Sequence, residues 1–196
     1  MVTRDQDSEL QAAHTQAADL LCEQLLRASG WAVTRKVPSC PGWDLGTLIN
    51  HVIGGAERYA MLMEGFPTSD VEATRKRDYV NVDMALRQRD LDARLALAFR
   101  KCPPELRFPH RAGPVDRVEL LRMRLLECLV HGWDIGATLG SPLILNEKLC
   151  QIALDECGPT IGRLSDQGFY AAGIVDDAHH PSERLLGIAG RGPGAR

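Results

Sequence analysis

Arg124-Leu125-Leu126-Glu127-Cys128-Leu129-Val130-His131-Gly132-Trp133-Asp134 decides how this chain is read. The apolar residues 125, 126, 129, 130 and 135 recur with helical spacing, which predicts a helix with one face in a core. Glu127 and His131 stand four apart, so both project from one face, a turn from each other. Arg124 and Asp134 extend the same stripe by three residues at either end. A carboxylate and an imidazole in such a segment are costly to bury unless something compensates the charge. A divalent metal ion does so, which makes Glu127 and His131 candidate ligands.

A complement lies upstream, in Leu48-Ile49-Asn50-His51-Val52-Ile53-Gly54-Gly55. His51 again has apolar neighbours, and the two glycines fall at i+3 and i+4, stacked beside it. Each glycine inside a helix costs roughly 1 kcal/mol relative to alanine, so the pair predicts that room beside His51 matters. Spacing leaves other readings open. A histidine on an apolar face also serves as a hydrogen-bonded core residue, Glu127 and His131 also make sense as a structural pair, and Gly54-Gly55 also suits close helix packing. Trp43 and Trp133 read as core or loop anchors. Arg124, and Arg58 at i+7 from His51, either face a pocket and hold an anionic substrate or form surface salt bridges.

Outward from these segments the chain reads as helix after helix. Residues 7–29 carry Leu10, Ala13, Ala17, Leu20, Leu21 and Leu25 at spacings mostly of three and four, and Gly30 ends that run. Val37-Pro38-Ser39-Cys40-Pro41-Gly42-Trp43 is a rigid loop, and Asp44 stands where an N-cap belongs. The second helix runs from about Leu45 to Glu64, stopping at Gly65-Phe66-Pro67. Residues 68–81 are polar and non-periodic, a surface connection. The spacing predicts a third helix over Val82–Arg100, a loop over 105–114, a fourth helix over Val115–Leu139 and a fifth over Asn146–Arg163. A short turn of helix near Pro181–Gly187 precedes the tail Gly190-Arg191-Gly192-Pro193-Gly194. Four long helices predict an all-α bundle with sites built from side chains that face inward.

Composition agrees. The 196 residues suit one domain spanning 1–196, and 44% apolar with 25% charged residues is ordinary for a globular protein. A net charge of −3 shows no broad basic footprint for nucleic acid or an anionic membrane surface. The polar N-terminus lacks the apolar centre of a signal peptide, and no stretch approaches the roughly 18 apolar residues of a membrane span. The expectation is a cytoplasmic protein with no membrane or nucleic-acid partner. The six cysteines are scattered without a C-x-x-C pair, and are expected as small buried thiols.

Three segments resemble a known family. Pro38-Ser39-Cys40-Pro41-Gly42-Trp43-Asp44 with Leu48-Ile49-Asn50-His51 is similar to the P-x-C-P-G-W segment and following histidine of the DinB-like superfamily. It is most similar to the actinobacterial branch that includes the N-terminal domain of mycothiol-dependent maleylpyruvate isomerase. Arg124-x-x-Glu127-x-x-Val130-His131-Gly132-Trp133-Asp134 resembles that branch's second motif. Arg184-Leu185-Leu186-Gly187-Ile188-Ala189-Gly190-Arg191-Gly192-Pro193 resembles its closing motif. The resemblance implies a DinB-type four-helix bundle, here with an extra C-terminal helix and short tail, holding a divalent metal on His51, Glu127 and His131. Zinc is the metal it implies first, with Ni2+, Co2+ and Fe2+ also compatible.

Three protein ligands leave a position for water or substrate, the pattern of catalytic rather than structural zinc. A thiol entering there would be deprotonated. The expected function is therefore a metal-dependent thiol S-transferase or thiol-assisted isomerase acting on a small electrophile. Mycothiol is the cosubstrate that the resemblance implies. Asp134 is expected to orient His131, with Arg124 and Arg58 as the other candidate catalytic residues. A metal-dependent hydrolase using activated water, or a non-catalytic metal or small-molecule binding protein, are the alternatives. The chain is expected as a monomer or homodimer.

Overall fold

A computed structural model of the chain describes residues 4–31, 33–80, 83–110, 113–168 and 180–191. Among them seven α-helices form: α1 (Arg4–Ala28), α2 (Leu45–Met63), α3 (Thr68–Ala73), α4 (Met84–Lys101), α5 (Arg117–Thr138), α6 (Glu147–Asp166) and α7 (Pro181–Ile188). Extended pairing among the described residues is limited to two isolated bridges, Lys36 with Asp44 and Phe108 with Val115. The all-α expectation holds.

The bundle consists of α1, α2, α4 and α5. Both α1 and α2 pack against α4 and α5, so helices joined directly in sequence stand at opposite corners. A link between opposite corners must cross the end of the bundle. The connections 29–44 and 102–116 are accordingly long, and each is held by one of the two bridges. The first of them carries the Pro/Gly loop to the mouth of the site. Outside the ring, α6 packs on α1 and α5, and α7 packs on α6.

Local chemistry sets the helix ends. Asp44 caps α2 by accepting from the Thr47 amide at 2.9 Å, and Asp116 caps α5 through the Glu119 amide at 2.9 Å. Asn146 accepts from the Leu149 amide at 3.0 Å. Inside, Leu21, Leu25, Leu48, Ile49, Ile53, Leu95, Phe99, Leu121, Leu125 and Leu129 form one buried core shared by the four bundle helices. All six cysteines are free thiols; five are buried and Cys40 is partly exposed. No helix among the described residues is long and apolar enough to cross a membrane.

Two boundaries differ from the sequence reading. The segment 68–81, expected as a plain surface connection, folds into α3 and a 3-10 turn over Thr74–Lys76. Its large apolar residues are Val71, Tyr79 and Val80, the first two buried, with Thr74 also buried and bonded to the Val71 carbonyl. One apolar residue and then two adjacent ones, eight positions on, do not register as a period. The third predicted helix starts at Met84; its expected start at Val82 lies outside the described residues, as does the Gly192-Pro193-Gly194 end of the tail. The remaining ends agree to within about three residues.

Candidate metal-binding pocket

A cleft of about 780 Å³ opens where the loop 39–43, α2, the segment 74–79 and α5 meet. His51 from α2 and Glu127 and His131 from α5 all line it. His51 Nε2 approaches Glu127 Oε1 to 3.5 Å, and the two imidazoles stand edge to face with centroids 5.1 Å apart. Trp43 is not merely a loop anchor. Its indole packs against His51 at 5.0 Å and against His131 at 6.3 Å, wedging the two rings into place. The indole can do this because Gly42 turns the chain at φ +85° and bonds from Val37 to Trp43 and Trp43 to Cys40 close the loop.

Behind His131 lies Asp134, fully buried, its Oδ2 2.8 Å from His131 Nδ1. This bond gives Nδ1 the proton and leaves Nε2 as the nitrogen available to a ligand. Asp134 also accepts from Ser39 at 2.5 Å and from Arg191 at 3.2 and 2.9 Å, while the Cys40 thiol sits 3.5 Å away. Burial would raise the Asp134 pKa, but His131 and Arg191 outweigh it and hold the carboxyl well below its usual range. Burial lowers the basicity of His131, with Asp134 opposing, and so favours the neutral, ligating form. Cys40 is pushed up to about 11 by burial and by Asp134, which leaves it a neutral thiol rather than a nucleophile.

The glycines beside His51 have a definite use. A Cβ on Gly55 would lie 3.0 Å from Glu127 Oε2 and 3.5 Å from Arg124 Nη1, and one on Gly54 would meet the Arg58 guanidinium at 2.6 Å. The room predicted beside His51 is occupied by Glu127 and Arg58. Burial also tends to raise the Glu127 pKa, but the neighbouring His51 and then Arg124 reverse this and keep it ionised.

The two candidate arginines part company. Arg58 lines the cleft. Burial and the like charge of Arg75 lower its pKa. Arg124 does not reach the cleft, which corrects the expectation that it holds a substrate anion. It is 0% exposed, lying behind Glu127, where Nη1 donates to the Val52 carbonyl at 2.8 Å and to Glu127 Oε2 at 3.1 Å. A stripe on a helix is wider than the strip that faces a pocket, and Arg124 points into the bundle.

Two His/Cys/Asp sets among the described residues bring their donor atoms within 4.8 Å of one another, and neither is the predicted trio. Cys40, His131 and Asp134 use the His131 nitrogen already bonded to Asp134, and Arg191 neutralises that carboxylate. His14, Asp92 and Cys128 are buried with the Arg124 guanidinium 3.6 Å from Asp92. In both sets each carboxylate oxygen is already engaged by another side chain, whereas Glu127 gives Oε2 to Arg124 and keeps Oε1 towards His51. The donors of His51, Glu127 and His131 are less tightly gathered. They are of the zinc type, open to the cleft, and the 3.5 Å between His51 and Glu127 is close to the roughly 3.4 Å between donors in tetrahedral zinc. On donor chemistry and orientation this trio fits a metal better than either tighter set.

Sequence reasoning missed the contacts that converge on Asp134. Ser39, Cys40 and Arg191 all fall in quoted motifs, but a motif does not say that residues 95 and 57 positions away will meet one aspartate. It also missed Arg75, Arg77 and Tyr79, which reach the cleft only because 74–80 is folded back on α2.

The molecule is thus a helical bundle with an open cleft walled by two histidines and a carboxylate. Residues 10–136 match the family model described as the mycothiol maleylpyruvate isomerase N-terminal domain, and the chain belongs to that family. The crystal structure of the mycothiol-dependent maleylpyruvate isomerase is similar in fold, with a TM-score of 0.66 at 17% identity over 94% of this chain and 89% of that one. No curated protein matches the sequence.

Proposed function

We propose that His51, Glu127 and His131 hold a divalent metal, zinc first among the compatible ions, and that the cleft carries out a thiol-dependent isomerase or S-transferase reaction. The thiol is mycothiol, on the strength of family membership. One observation supports the reading: a buried carboxylate spends itself on His131 Nδ1, which leaves Nε2 as the nitrogen available to a ligand in the cleft that His131 lines with His51 and Glu127. When bound, the metal supplies Lewis acidity that ionises a thiol at neutral pH.

The chain's own residues do the rest. Asp134 fixes the His131 tautomer, and Arg191 keeps Asp134 ionised. Trp43 covers one side of both histidines and keeps water from that face. Arg58, in no hydrogen bond or ion pair among the described residues, draws an anionic group of the substrate into the cleft. A cation partly withdrawn from water beside Arg75 gains most from such a partner.

The test combines metal content with thiol dependence. Purified wild type should carry about one equivalent of metal, and His51→Ala and Glu127→Ala much less. With maleylpyruvate as the first electrophile and alkylating electrophiles after it, turnover should require both metal and mycothiol. Full metal occupancy in either variant overturns the ligand set. Turnover indifferent to thiol overturns the thiol reaction in favour of a hydrolase.

A further inference from the structure

Directly behind Glu127, three helices bring polar groups into the buried centre of the bundle. They are His14 from α1, Gln88 and Asp92 from α4, and Arg124 from α5, none more than 8% exposed. Gln88 Nε2 donates to Asp92 Oδ2 at 2.6 Å. Arg124 Nη2 stands 3.6 Å from Asp92 Oδ1, and His14 Nε2 stands 3.7 Å from the same oxygen. Arg124 Nη1 reaches the other way, to Glu127 Oε2. The guanidinium therefore lies between two carboxylates, one at the cleft and one in the core.

Such a cluster is a poor device for stability alone. Buried ion pairs rarely outperform an apolar replacement of the same volume. Several of its atoms, His14 Nε2, Gln88 Oε1, Asp92 Oδ1 and Arg124 Nε and Nη2, have no hydrogen-bond partner among the described residues. Its geometry does have a consequence at the cleft. If Glu127 were the only counter-ion to Arg124, the guanidinium would take up the carboxylate's charge, and Glu127 would be a weak ligand. With Asp92 sharing the guanidinium, Oε2 is held in place while Oε1, facing His51, keeps its charge.

We propose that Asp92 is a positioning residue for the cleft: by sharing Arg124 with Glu127 it leaves the Glu127 charge incompletely compensated and aimed for metal binding. This rests on the ligand set proposed above. The charge count supports it. Arg124 carries one positive charge against two carboxylates, so the cluster keeps one negative charge to offer a divalent cation.

The experiment measures zinc affinity of the full-length protein by competition with a chromophoric chelator, beside its thermal midpoint without metal. Asp92→Asn should weaken zinc binding about tenfold or more, and cobalt-loaded protein should show a shifted d–d absorption band. Gln88→Met, which removes the donor to Asp92 but keeps the carboxylate, should weaken zinc binding less than Asp92→Asn does. It also serves if Asp92→Asn fails to fold. Asp92→Asn, or Gln88→Met in its place, with unchanged zinc affinity and cobalt spectrum overturns the proposal, whatever happens to the thermal midpoint. Glu127→Gln separates the two ideas: if it leaves zinc affinity intact, the ligand set is wrong. If it abolishes binding while the Asp92 and Gln88 variants bind normally, only the positioning role fails.

Discussion

Asp134 shows how much one side chain can decide. Its bond to His131 Nδ1 selects the tautomer that faces the cleft, and the same carboxylate gathers Ser39 and Arg191. Asp134→Asn keeps the shape and removes the charge, so His131 loses its fixed orientation. Zinc affinity measured by calorimetric titration should fall ten- to a hundredfold, roughly the range for partners of metal-bound histidines. His14 makes a different prediction. Burial lowers its pKa to about 4, against 6.5 in the unfolded chain. Between these values the unfolded chain binds more protons, so stability is full above about 6.5 and declines as pH falls towards 4. His131, also lowered, acts in the same sense. The urea midpoint of metal-free protein should fall across that window, and His14→Gln should flatten the fall. An equal slope in both proteins would contradict the assignment.

At the scale of elements, helical glycines separate site from scaffold. Alanine favours a helix by roughly 1 kcal/mol over glycine, so the surroundings set the sign. A Cβ at Gly55 meets the movable end of Glu127 at 3.0 Å. Gly55→Ala should leave the thermal midpoint near that of wild type and yet weaken zinc binding, because the carboxylate must shift. A Cβ at Gly136 on α5 meets backbone instead, the Leu143 nitrogen at 2.8 Å and the Ser141 carbonyl at 3.0 Å. Backbone cannot swing aside, so Gly136→Ala should destabilise by roughly 1–3 kcal/mol in a denaturant titration. α5 itself was legible because its apolar period is long and Gly140 marks its end. α3 was not, because its hold on the bundle comes from Val71, Thr74 and Tyr79 meeting α2. That is a tertiary contact rather than a local pattern.

Over the whole molecule, Arg191 ties the chain's last described residue to α5 and to the loop that carries Ser39 and Cys40. Its side chain is 8% exposed and Asp134 is wholly buried, so Arg191→Ala strands a carboxylate with one charged partner fewer. Unfolding stability should drop by about 3 kcal/mol. Arg75→Ala, at an ion pair with Glu72 roughly half exposed on both sides, should change it by under about 1 kcal/mol. Equal effects of the two would refute the distinction. Helix periodicity, the Asp44 cap, the Gly54-Gly55 gap and the alignment of Glu127 with His131 were all in the sequence, because each is set within one helix or its first turn. That His51 meets Glu127, that Arg124 turns inward to Asp92, and that Ser39, Cys40 and Arg191 converge on Asp134 came only with the tertiary structure. Those contacts join residues on different helices and loops, and their distances depend on how the bundle closes.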